Sequence, residues 1–184
     1  MQDSLQGIRL SPQQKRLWLL QDNDVGYCAQ ATVLLNGPVD PAVLQDTVER
    51  IVARHEIFRT TFRREPGVKV PFQVIEEHLA SRWRMVDWHE QGPSDEEAEL
   101  AALSAEQRRC PFHFEHGPLL DVILVMRAER RSVLLVCLPA LCADAITLHN
   151  LVREMSAAYG ASLEGEEAGE GAFQYFQVSE LQKE

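Results

Sequence analysis

The sequence predicts an α/β domain, a sandwich in which helices pack on a mixed sheet. Three observations carry that expectation. Segments of helical and of strand periodicity alternate along the chain in the order α, β, α, β, β, β, α, β, β, α, α. The segment RSVLLVCLP is apolar at nearly every position, the pattern of a central strand buried on both faces. DPAVLQDTVERIVARHE carries one apolar stripe, Val43, Leu44, Val48, Ile51 and Val52, as an amphipathic helix does.

The elements follow in order. LSPQQKRLWLLQ is a helix, with Ser11 as candidate N-cap, Pro12 in the first turn and Leu17, Trp18 and Leu20 as its apolar face. YCAQATVLLNG alternates and stops at Asn36-Gly37, a strand entering a turn. In the next helix Asp40 caps and Pro41 starts. FRTTFRRE and KVPFQVIEE form a hairpin around Pro66-Gly67, and RWRMVDW is a short strand. SDEEAELAALSAEQRR is a capped helix with acids in its first turn and arginines in its last, as the macrodipole favours. After the Pro/Gly-punctuated loop CPFHFEHGPLL, the strands DVILVMRAE and RSVLLVCLP are joined by a tight turn near Glu129-Arg130. A helix from about Asp144 to Tyr159 comes next, with Leu148, Leu151, Val152 and Met155 as its buried face. EGEEAGEG is a solvated acidic loop, and AFQYFQVSELQKE a short closing helix.

Composition narrows the function. The 184 residues suffice for one domain with its own core, and 45% are apolar. A net charge of -10 disfavours nucleic acid as a partner, since phosphate contact needs a basic face. No apolar run reaches the ~18 residues of a membrane span, and the first residues are no signal peptide, so a cytoplasmic protein is expected. Cys28, Cys110, Cys137 and Cys142 form no CxxC pair and no zinc spacing, and read as reduced, small core residues. No cofactor is expected.

Four stretches, in order, resemble the condensation domains of nonribosomal peptide synthetases. LSPQQKRLWLLQ is similar to the family's opening motif, S-x-A-Q-x-R-L-W. RHEIFRTTF, Arg54 to Phe62, matches the second motif, R-H-E-x-L-R-T-x-F, with Phe58 in place of Leu. FHFEHGPLL resembles F-D-L-x-x-G-P-L-L, and QYFQVSELQKE the stretch that closes the family's first lobe. The resemblance implies the fold of chloramphenicol acetyltransferase, with residues 1–184 as the N-terminal lobe and the C-terminal lobe absent. It implies a fragment of a larger synthetase and, as partners, that missing lobe and carrier domains bearing phosphopantetheine.

The family's third motif, H-H-x-x-x-D-G, falls on LPALCADAITLHNLVREM. Aligned on Asp144, Pro139 and Ala140 stand at the two histidines and Ala145 at the glycine. The second family histidine positions or deprotonates the attacking amine. Alanine can neither accept nor donate a proton, and losing a positioned base costs about 10²–10⁴ in rate. Pro139 also removes a backbone donor and fixes φ. The resemblance implies a structural Asp144, held by Arg59 and partly buried. A plain N-cap is the alternative, and both can hold at once. A carboxylate of ordinary acidity is a poor base at neutral pH.

The remaining candidates have plainer readings. His55 ends a helix and suits hydrogen bonding in the core, and His149 suits a helix surface. His113 and His116, at i and i+3, lack an evident third ligand, so no metal is expected. Cys142 has no visible base or cation beside it and reads as inert. Arg16 and Arg54 suit structural ion pairs or solvent contacts. The function that follows is a non-catalytic, condensation-like interface domain, serving a carrier protein or a tailoring oxygenase or hydroxylase in trans. The alternative is an active peptide-bond-forming domain with an atypical motif, in which juxtaposition of the reactants does much of the work. A docking half-domain that assembles with itself or another chain is a third.

Overall fold

In a computed structural model the described residues are 7–20, 27–89, 95–127 and 130–165. The elements are β1 (Ile8–Arg9), α1 (Pro12–Leu20), β2 (Cys28–Asn36), α2 (Pro41–Arg54), a 3-10 turn (Glu56–Arg59), β3 (Thr60–Arg63), β4 (Phe72–Ile75), β5 (Arg82–Asp87), α3 (Glu96–Arg109), β6 (Asp121–Arg127), β7 (Arg131–Pro139) and α4 (Ala145–Glu164).

The strands form two sheets where one was expected. The main sheet runs β2-β7-β6-β5 and is mixed: β5 pairs parallel with β6, and the other pairs are antiparallel. The expected hairpin forms, with Arg63 opposite Phe72, but joins β1 in a separate sheet of order β1-β4-β3. Hydrophobic alternation shows which face of a strand is buried, not which sheet it joins, so the division was not visible in the pattern.

β7 lies inside the main sheet, and every residue from Ser132 to Pro139 is buried. Period-2 geometry explains this. Leu134, Val136 and Leu138, with Val122 and Leu124 of β6, face a large core completed by α2 and α4. Val133, Leu135, Ile123 and Val125 face a second core closed by Leu100 and Leu103 of α3. A strand covered on both sides must be apolar throughout, which is what RSVLLVCLP showed.

α2 is stapled at both ends. The Asp40 carboxylate accepts from the backbone N–H of Ala42 and Val43 at 2.9 and 3.2 Å. The Asp40 N–H donates to the Tyr159 hydroxyl of α4 at 2.8 Å. At the other end Arg54 and His55 meet Glu154 of α4.

Two expectations about helix faces need correction. On α4 the buried residues are Leu148, Leu151, Met155 and Ala158; Val152 is half-buried, and the helix runs past Tyr159 until Gly165 takes a left-handed conformation. On α1 Leu20 is exposed, and the buried residue is Gln14. The expected acidic loop and closing helix fall almost wholly outside the described residues, as does Glu129 of the expected turn.

Candidate functional site

The loop from Pro139 to Asp144 leaves the end of β7 and enters α4. Pro139 is the last ladder position, opposite Cys28 of β2. The Ala140 N–H donates to the Tyr27 carbonyl at 2.7 Å, one step beyond the ladder. The chain then turns tightly, and the N–H groups of Cys142 and Ala143 both donate to the Pro139 carbonyl, at 2.8 and 3.2 Å. Leu141, Cys142 and Ala143 are buried, Ala140 is half-buried, and Asp144 and Ala145 are exposed.

Asp144 is the N-cap of α4. Its carboxylate accepts from the Thr147 N–H and the Thr147 hydroxyl, both at 2.8 Å. These two bonds hold its pKa below the ordinary value near 3.8, so at neutral pH it is ionised and a weak base. The expected contact with Arg59 is not made. Arg59 ends the 3-10 turn, donates to the Glu76 carbonyl at 2.5 Å and lies 3.8 Å from the Glu56 carboxylate. The capping geometry of Thr147 already occupies the carboxylate, so Asp144 needs no buried cation.

The other candidates are dispersed. His55 Nε2 lies 2.8 Å from Glu154, whose other oxygen accepts from Arg54 at 3.1 Å; the His55 ring packs edge-on against Phe58. His149 is exposed on α4. His113 and His116 are exposed on a turn closed by backbone bonds onto the His113 carbonyl. No group of three metal-ligating side chains occurs among the described residues. Burial raises the Cys142 thiol far above the ordinary thiol range, so it carries no thiolate at neutral pH. Cys137 is raised likewise by burial and by neighbouring Cys28. No side chain from Pro139 to Ala145 can therefore exchange a proton usefully near pH 7.

Gln14 was missed as a site residue. Its side chain is 1% exposed. Its oxygen accepts from the Ser11 N–H at 3.0 Å while the Ser11 hydroxyl accepts from the Gln14 N–H at 3.2 Å, a reciprocal capping box. The Gln14 amide nitrogen donates to Gln73 at 3.0 Å and to the Leu141 carbonyl, within the loop, at 3.1 Å. The spacing Ser-x-x-Gln was the available signal; its tertiary partners were not legible.

The Condensation domain family model matches residues 5–184. The chain is 32% identical over 166 residues to a linear gramicidin synthase of Brevibacillus parabrevis, covering 88% of this chain and 2% of that protein. It is 34% identical over 160 residues to the chondramide synthase of Chondromyces crocatus, covering 84% and 4%. The X-domain from teicoplanin biosynthesis superposes with a TM-score of 0.81 at 26% identity, over 97% of this chain and 38% of that one. A complex of the X-domain and OxyB from the same biosynthesis gives 0.78 at 26% identity, over 95% and 37%. The starter condensation domain of rhizomide synthetase gives 0.83 at 20% identity, over 96% and 43%, a likeness of fold. The chain thus spans a small part of the synthases and about two fifths of the solved chains.

Proposed function

This chain belongs to the condensation-domain family, and from that premise we propose that it is part of a non-catalytic, condensation-like domain of a nonribosomal peptide synthetase. Its role is that of an interface: it presents a folded surface to a tailoring enzyme, an oxygenase or hydroxylase acting on an amino acid held by a carrier domain. One observation carries the reading. The loop between β7 and α4 is well formed, yet the position aligned with the family's second histidine is Ala140. A methyl group cannot orient or deprotonate an amine. Asp144 is consumed by its cap and Cys142 is buried, so neither replaces the missing base.

The partner class is supported by likeness. The X-domain, similar in both sequence and fold, was solved in a complex with OxyB. The C-terminal lobe and carrier domains complete the proposed assembly, in the cytoplasm. Among the described residues no helix is long and apolar enough to cross a membrane.

The test is binding by the intact synthetase. A tailoring oxygenase or hydroxylase encoded beside it is titrated against the whole protein by calorimetry, with the carrier domain loaded with its amino acid. Saturable binding, lost when this domain is deleted, is the expected result. Binding that persists after the deletion, or no binding by any such enzyme, overturns the interface role.

A further inference from the structure

We propose that Gln14 is a positioning residue that sets the conformation of the Pro139–Asp144 loop and couples it to the small sheet. Leu141, Cys142 and Ala143 anchor the loop in the core, but its own side chains give it little polar definition: Ala140 has only a methyl group, and Asp144 is occupied with its own helix. From outside, the backbone of β2 and Tyr27 meets it at Pro139 and Ala140, and the one side chain that bonds its turn is the Gln14 amide. Both of its N–H bonds are used, one on the Leu141 carbonyl and one on Gln73 Oε1. Gln73 is itself buried, 3% exposed, and its nitrogen donates to the Arg9 carbonyl of β1 at 3.3 Å. A buried relay therefore runs Arg9, Gln73, Gln14, Leu141, through β1, β4, α1 and the loop.

Among the described residues no strand of the small sheet pairs with a strand of the main sheet, so this relay is a polar join between the two layers. Buried amides are held firmly because an unpaired one is costly. The consequence is that the backbone around position 140 is fixed by the scaffold and not by the residue standing there. A displacement of α1 or β4 is transmitted to the loop. This holds whether the loop serves chemistry or an interface.

The test is hydrogen exchange on the whole protein, read in a peptide spanning 138–144 and in a reference peptide from β6. The loop has suitable probes, since the N–H groups of Ala140, Cys142 and Ala143 are all bonded. Gln14→Met keeps the volume and removes the amide. Exchange in the loop is expected to rise roughly ten-fold or more while β6 changes less. Leu44→Ala, in the large core that both the loop and β6 enter, is the control for general loss of stability and should raise the two peptides alike. Gln73→Met, which leaves the Leu141 bond in place, should give a smaller rise in the loop with β6 unchanged; it also serves if Gln14→Met does not fold. Equal rises in loop and β6 for Gln14→Met, or no loop response to either glutamine variant, would show Gln14 to be an ordinary core residue.

Discussion

Two segments of this chain, Arg54–Phe62 and Pro139–Ala145, differ in what their side chains do. In the first, Arg54 and His55 share Glu154, and Arg59 holds the Glu76 carbonyl. The Thr60 hydroxyl donates to the Glu56 carbonyl and the Thr61 hydroxyl to the Glu76 carboxylate, both at 2.7 Å. Phe62 is fully buried against Trp18 and Phe114. In the second, only Asp144 uses a polar side chain, and it does so within its own helix. The difference separates residues that the fold requires from residues that only chemistry requires. The first segment is tied into the fold by its own side chains; the second is shaped by backbone bonds, by the burial of Leu141, Cys142 and Ala143, and by Gln14.

Substitutions can break or sharpen this contrast. The largest effect is expected from Phe62→Ala, which removes a buried ring from a three-ring aromatic cluster and should cost about 3–5 kcal/mol in chemical denaturation. Glu154→Ala leaves Arg54 and His55 without their shared acceptor, and both are mostly shielded from water; about 1.5–3 kcal/mol is expected by the same measurement. Asp144→Ala should cost only about 1 kcal/mol, the worth of a cap. Its pH dependence has a definite sign. The folded-state pKa is shifted below the unfolded one, so the contribution is full above the unfolded value near 3.8 and fades as pH falls through the folded one. Denaturation at pH 6 and pH 3 should therefore show a gap between wild type and Asp144→Ala that narrows in acid. Smallest of all, Ala140→His should alter stability by no more than ~0.5 kcal/mol, because the half-buried methyl group makes no polar contact to lose. A cost for Ala140→His comparable to that for Phe62→Ala would erase the distinction between the two segments.

Much of the fold was legible in the sequence, for reasons these residues make plain. The unbroken apolar run of β7 implied two covered faces, and Asp40-Pro41 marked the start of α2; both follow from local rules. The reading of the loop rests on resemblance alone, since nothing in PALCADA by itself points to a histidine position. What could not be read were long-range polar pairings. Apolar spacing placed Leu20 of α1 inside, whereas the buried side chain is Gln14, whose amide finds Gln73 and Leu141 far along the chain. The expected Asp144–Arg59 contact failed for a related reason. A local cap satisfied Asp144, and the Glu76 carbonyl lay closer to Arg59 than any partner visible in the sequence. Hydrophobic patterns report burial, but they do not report which polar group meets which.

The central claim, that Ala140 leaves the domain without condensation chemistry, is tested most directly by single-turnover amide formation. Donor and acceptor carrier domains are loaded with their thioesters, mixed with the intact condensation domain, and quenched over time for analysis by mass spectrometry. No amide is expected above the level seen with the carrier domains alone. Amide appearing at a rate typical of enzymes, on the order of 1 s⁻¹ or faster, would contradict the claim and establish the domain as an active condensation enzyme.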